Sequence, residues 1–292
     1  MSDFVQQQSV ECRFESFDSW VILSPIEQSI KRKIESVGTP LKDWDIQINY
    51  GIKTGFNDAF IISTEKRNEI LDNCSSEEER TKTAELIRPI LRGRDIKRYG
   101  YDWANLWIIN THNGIKGVKP RIDINEYPAV KAHLDQYWDK ISKRADKGDT
   151  PYNLRNCAYL DDFFKPKIVW ARLMRISKSE IDSFPRFSKA DAGYFVVDSL
   201  CFFTGKNIDK LCAYLNSSLA TYYYLKNIAI LDNGGMQMRQ QYIEDIPCPP
   251  IEYIENDRSI YNLFCFTKEE VDFIEKFIEM HKNEILNGNR AE

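Results

Sequence analysis

Apolar residues return every three or four positions in several stretches of the chain, and helices are expected there. The first is the best marked. Ile26, Ile30 and Ile34 share one face, Ser24 and Glu27 have capping-box spacing, Pro25 suits a first turn, and Gly38 lies just past the end. Residues 126–143 carry Val130, Leu134, Trp138 and Ile141 on one stripe, and a helix opened by Asn207 carries Ile208, Leu211, Leu215 and Leu219. Residues 267–287 repeat the pattern with Val271, Ile274, Phe277, Ile278 and Ile285, and the charged residues 76–90 also read as helical.

Short β-branched and aromatic runs read as strands instead. They are residues 45–49, 59–62, 106–110, 167–171, 194–197 and 200–204. Gly51 and Gly55 bracket a tight turn after the first of them, and Pro247, Pro249 and Pro250 forbid a helix at that point. The strands fall in two clusters separated by helices, without strict βαβ alternation. The chain is therefore expected to be α+β, with mixed strand clusters, packed helices and a C-terminal helix.

Composition narrows the class. A chain of 292 residues with 42% hydrophobic content can bury a core as one large domain or two small ones. Seven scattered cysteines with no Cys-x-x-Cys pair argue against a disulfide framework or a zinc site, and buried free thiols are expected. No signal-peptide pattern and no run of ~20 apolar residues is visible, so a cytoplasmic chain without membrane contact is expected. The sequence has no P-loop, dinucleotide fingerprint, nucleophile elbow or His-Glu-x-x-His zinc helix. No catalytic residue, metal or cofactor is expected in this chain.

What stands out is a set of positive, hydrogen-bonding loops. Arg92, Arg94, Lys97 and Arg98 lie within seven residues; Lys116, Lys119 and Arg121 form a second group. Arg172, Arg175, Lys178, Arg186 and Lys189 form a third, and Gln237, Arg239, Gln240 and Gln241 a fourth. Arginine pairs bidentately with guanine and glutamine with adenine in the major groove, while Lys and Arg also neutralise phosphates. The adjacent Arg94 and Asp95 also suit a local ion pair that holds a turn. Solvated loops on a protein-interaction module of a larger bacterial complex are the alternative reading.

Several blocks, in order, resemble a known family. They are Trp20–Ser24, Pro40–Asn49, Gly51–Phe60, Ile87-Arg-Pro-Ile-Leu-Arg-Gly-Arg-Asp-Ile-Lys-Arg-Tyr99, Lys165-Pro-Lys-Ile-Val-Trp170, Leu215-Asn-Ser-Ser-Leu219 and Tyr242-Ile-Glu-Asp-Ile-Pro247. Together they resemble the TaqI-like C-terminal specificity domain, the target-recognition part of adenine-specific DNA methyltransferases and fused type II restriction–modification enzymes. The resemblance implies a target-recognition-domain-like fold that docks on double-stranded DNA and selects a sequence. Methylation or cleavage would belong to a methyltransferase domain, with or without a nuclease, in the same or another chain. S-adenosylmethionine is expected in that catalytic domain only, since the Asn-Pro-Pro-Tyr-type motif is absent and the lone Pro249-Pro250 pair is flanked by Cys248 and Ile251.

Residues 1–250 are thus expected to be the recognition domain and residues 251–292 an acidic helical extension whose stripe packs on a partner domain or second copy. Lys53, Thr54 and Asn57 in the glycine-flanked turn, with Arg92, Arg94, Lys97 and Arg98, are expected at phosphates or bases. Arg172, Arg175, Arg186, Gln237, Arg239 and Gln240 are expected to read the groove. The net charge of −4 does not oppose this. Residues 243–292 hold 12 acids and 5 bases, which leaves 32 acids and 35 bases for the remaining 242 residues. The body is mildly basic and the tail carries the negative charge.

Overall fold

Ser24 starts the described fold as its spacing predicts. Its Oγ accepts from the Glu27 N–H while its own N–H donates to the Glu27 carboxylate at 2.8 Å, opening α1 (Pro25–Val37). The computed structural model describes residues 23–176, 178–231 and 234–286. After α1 come β1 (Thr39–Pro40), β2 (Gln47–Tyr50), α2 (Asn57–Phe60), β3 (Ile61–Ser63), α3 (Thr64–Asp72), α4 (Glu77–Leu86), β4 (Ile87–Leu91) and β5 (Leu106–Ile109). Next are α5 (Pro128–Asp135), α6 (Trp138–Ile141), β6 (Lys167–Ala171), β7 (Leu173–Arg175), β8 (Ser188–Ala190), β9 (Phe195–Val196) and β10 (Leu200–Thr204). The chain continues through α7 (Ile208–Leu215), α8 (Ser218–Asn227), β11 (Gly235–Gln237), α9 (Gln240–Glu244), β12 (Pro247–Cys248), α10 (Asp257–Leu263) and α11 (Lys268–Leu286). The fold is α+β.

Several boundaries differ from the periodicity. The helix expected over residues 76–90 stops at Leu86, because Pro89 cannot donate within a helix and Ile87–Leu91 pairs with β5 and β9. Ala59 and Phe60 belong to α2, so the strand expected over 59–62 starts at Ile61. The stripe of residues 126–143 is split between α5 and α6; Val130, Leu134 and Ile141 are buried, but Trp138 is 44% exposed and rests on Tyr152. The helix after Asn207 also breaks, since Ser217 caps a new one by accepting the Ala220 N–H at 3.2 Å.

Two four-stranded sheets organise the molecule. One has the order β2–β10–β6–β8 and is antiparallel throughout; the other has the order β3–β5–β4–β9, with β9 parallel to β4. Two-stranded ribbons pair β1 with β12 and β7 with β11. Alternation along the first sheet serves two cores. Ile168, Trp170, Cys201 and Phe203 face the core shared with α1, α7 and α8, while Val169, Leu200 and Phe202 face the core of the second sheet. Phe163 stacks on Phe195 at 4.5 Å in that second core.

The apolar stripe of α11 packs on this chain's own core. Ile274 and Ile278 are buried in the α1–α8 core, Phe277 meets Tyr222 edge-on at 5.1 Å, and Lys33 pairs with Glu270 at 2.6 Å. Burial alone would raise the Glu270 pKa, but hydrogen bonds from Lys33, Ser29 and the Thr267 N–H outweigh it and hold it at about 2. The cysteines divide by environment. Cys201, Cys212 and Cys248 are buried, Cys74 and Cys157 half-buried, and Cys265 is exposed, against the expectation of buried thiols throughout; Cys12 lies outside the described residues.

Lys167 is fully buried, and its Nζ donates to the carbonyls of Phe163 at 2.9 Å and Asp191 at 3.2 Å. Burial pulls its pKa down to about 8, against partial support from Asp191 and Asp162. Between that value and the ordinary 10.5 the unfolded chain binds more protons than the folded one, so the lysine's contribution to stability rises with pH. Wild type is therefore expected to gain stability relative to Lys167→Met as pH climbs from about 8 to above 10, measured by urea unfolding of both proteins. A difference that stays flat with pH would count against the buried charge.

Candidate nucleic-acid interface

The site forms where β6 leaves the first sheet. The Arg172 N–H donates to the Ser199 carbonyl at 3.0 Å, and the chain then turns into β7. β7 pairs with β11 in the register Leu173–Gln237, Met174–Met236 and Arg175–Gly235. Met174, Met236 and Met238 are fully buried, so alternation sends Leu173, Gln237 and Arg239 to the other side. Trp170 fixes this strip from below, its Nε1–H donating to the Met238 carbonyl at 2.8 Å.

An open groove of about 820 Å³ results. Tyr50, Arg172, Leu173, Gln237, Arg239, Gln240, Gln241 and Glu244 line it. The Arg172 guanidinium lies 5.6 Å from the Tyr50 ring centre, and its buried Nε has no hydrogen-bond partner among the described residues. Tyr50 is 42% exposed and Leu173 45%, so an aromatic face and an aliphatic tip stand among cationic and amide groups. The Gln240 Nε2 donates to Glu244 Oε1 at 2.5 Å.

Of the residues expected to read the groove, Arg172, Gln237, Arg239 and Gln240 are thus brought together. Arg175 is exposed on the same ribbon. Arg186 reaches back to hold the ribbon, donating to the Arg175 carbonyl at 2.8 Å, and burial lowers its pKa. Tyr50, Leu173 and Glu244 line the groove without any signal in the sequence. Tyr50 arrives through the β2–β10 pairing with Cys201, and Leu173 through a three-residue strand.

The other expected contacts are placed differently. Arg94 is exposed, and Lys97 is exposed near Asp102 at 3.7 Å. Arg92, rather than Arg94, holds Asp95, through Nη2 at 2.9 Å and Nε at 3.2 Å. Arg98 is half-buried and donates to the Asn216 carbonyl at 2.5 Å. Thr54 is buried with its hydroxyl bonded to Asn57, and Lys53 pairs with Asp146 at 2.9 Å. Gly51 is required beside this turn: a Cβ there would lie 1.9 Å from the Val197 carbonyl oxygen. In the second basic loop, Lys119 and Arg121 each face a carboxylate at 3.6 Å, Asp161 and Asp149.

One further residue builds this region and carries no sequence signal. Arg144 is 7% exposed and donates to the carbonyls of Thr54, Asp146, Pro151 and Asn153, with its guanidinium 4.5 Å from the Phe60 ring centre. Burial lowers its pKa to about 10, so it stays charged at neutral pH. The described histidines all bond to main chain: His112 accepts from Gly114, His133 meets the Ala59 carbonyl and His281 that of Phe277. Among the described residues no group of three or more His, Cys, Asp or Glu is placed to hold a metal ion. No described helix is long and apolar enough to cross a membrane.

The model of the TaqI-like C-terminal specificity domain matches residues 88–248, more than half of the chain. The chain belongs to that family. The matched stretch runs from Arg88 within β4 through β12, and so contains both strands of the groove ribbon. No curated protein matches the chain. Two solved structures share the fold of this specificity domain. One is the type IIL restriction–modification enzyme MmeI in complex with DNA, with a TM-score of 0.55, 11% identity, and coverage of 86% of this chain and 37% of that one. The other is the type IIG restriction endonuclease BpuSI, with a TM-score of 0.53, 14% identity, and coverage of 91% and 33%. The chain therefore spans about a third of either enzyme's length.

Proposed function

We propose that this specificity domain recognises double-stranded DNA for a restriction–modification enzyme and docks through the groove bounded by β2, β7, β11 and α9. The observation that carries the reading is the convergence of Arg172, Gln237, Arg239 and Gln240, from distant parts of the sequence, on one open surface with Tyr50 and Leu173. These are the side-chain types that read base edges, and the exposed apolar groups suit thymine methyls and base faces. Arg94, Lys97 and Arg175 act as phosphate contacts, while Arg92, Arg98, Arg186 and Thr54 hold the loops that present them. Methylation or cleavage belongs to a catalytic domain beyond residues 1–292, in the same or another chain, and methylation there uses S-adenosylmethionine.

Fluorescence anisotropy with duplex DNA tests the reading. The chain should bind with an affinity that falls steeply between ~50 and ~200 mM salt, as phosphate contacts release counterions. Arg239→Ala should cost roughly 1–3 kcal/mol on the selected sequence and relax one base pair. Lys97→Ala should instead weaken all sequences alike and flatten the salt slope by about one unit. Absence of salt-dependent binding at ~50 mM would overturn the proposal.

A further inference from the structure

Half of the groove's described lining is arginine or glutamine, and among those described residues one carboxylate stands with them. Glu244, the last residue of α9, lines it beside Gln240, Arg239 and Gln237. A carboxylate on a DNA-docking face is repelled by phosphate oxygens. It is also repelled by the acceptor atoms of the major groove: N7 of the purines, O6 of guanine and O4 of thymine. Only two major-groove groups donate to it, the N6 amino group of adenine and the N4 amino group of cytosine.

Gln240 adds to this preference. Its amide bonds to Glu244 Oε1 at 2.5 Å. Because an ionised carboxylate only accepts, the amide nitrogen must face Glu244, and the Gln240 carbonyl oxygen is left as an acceptor. An unpinned glutamine offers donor or acceptor by rotating its amide; this one is fixed. The pair is therefore an acceptor-rich probe on a surface otherwise rich in donors.

We infer that Glu244, with Gln240 held in place by it, reads the exocyclic amino group of an adenine or a cytosine and rejects guanine or thymine at that position. This rests on the reading of the groove as a duplex-DNA surface. A consequence is built into the chemistry. In N6-methyladenine or N4-methylcytosine the remaining N–H is used in base pairing and the methyl group occupies the major groove. Methylation of the base that Glu244 reads removes its only donor.

Selection of binding sequences from a randomised duplex, with the full chain as wild type and as Glu244→Gln, tests the inference. Glutamine keeps the size of the side chain, and the melting temperature checks that the fold is retained. Wild type should select a motif, and Glu244→Gln should relax one base pair of it by roughly tenfold, admitting guanine or thymine where wild type demands adenine or cytosine. Glu244→Gln should bind random duplex at least as well as wild type, since it removes a negative charge. Placing the N-methyl base at that position should weaken wild type by roughly tenfold and leave Glu244→Gln unmoved. An unchanged motif in Glu244→Gln, or a uniform loss across all sequences, overturns the inference while sparing the groove. Failure of wild type to select any motif overturns the DNA-docking reading itself.

Discussion

Replacing Arg144 with alanine is expected to destabilise the fold by about 3–5 kcal/mol, since several carbonyls lose a charged donor at roughly 1–3 kcal/mol for each one left buried and unpaired. The guanidinium serves four carbonyls from three separate segments: Thr54 in the glycine-flanked turn, Asp146 just beyond α6, and Pro151 and Asn153 in the following loop. Alanine leaves all four without that donor, those of Thr54 and Asn153 in buried bonds, and it removes the contact with the Phe60 ring. Lysine should rescue less than half of the loss. Its ammonium is a point donor and cannot match the planar fork that spans four acceptors. Guanidinium chloride unfolding of the three proteins measures the effect. A loss of less than about 1 kcal/mol for alanine would show that the turn holds itself.

Trp170→Ala should cost a similar amount, about 3–5 kcal/mol, for a different reason. The indole is fully buried, packs on Phe187 at 5.6 Å and Phe203 at 5.8 Å, and its removal opens a cavity beneath the first sheet. Trp170→Phe separates packing from tethering. Phenylalanine keeps most of the volume but leaves the Met238 carbonyl without its indole donor, at a cost of about 1–2 kcal/mol. Because Met238 sits between the groove residues Gln237 and Arg239, this variant should also bind DNA more weakly, although Trp170 itself is fully buried. Hydrogen exchange at residues 235–239 should quicken in Trp170→Phe. Unchanged protection there would mean that the ribbon is held by its methionines alone.

How much of this was legible beforehand depends on the range of the interactions. α1 was readable because its capping box, first-turn proline and apolar spacing are all local. The breaks at Gln136 and Asn216 were not, since the apolar stripe runs on through both and only the packing partners change. The β7–β11 ribbon leaves no mark in the sequence for a similar reason. Its strands are three residues long and define themselves only by pairing across some sixty residues of sequence.

The candidate site divides the same way. Arg172, Gln237, Arg239 and Gln240 were recognisable as residue types, but as two unrelated loops. Glu244 had no distinguishing mark among 44 acids, and Tyr50 read as an ordinary strand residue. Arg92 and Arg94 look interchangeable in sequence. Only the 3₁₀ turn of residues 93–95 decides that Arg92 folds back on Asp95 while Arg94 stays exposed.

The alternation along the strip from Met236 to Arg239 bears on how new specificities arise. Met236 and Met238 anchor the strip by their side chains and by a main-chain carbonyl, while Gln237 and Arg239 stand between them in the groove. Anchoring and the proposed readout thus fall on separate, interleaved positions. Exchange of the readout residues leaves the anchors untouched, so recognition can drift during evolution, or be rewritten in a library, at little cost to foldability.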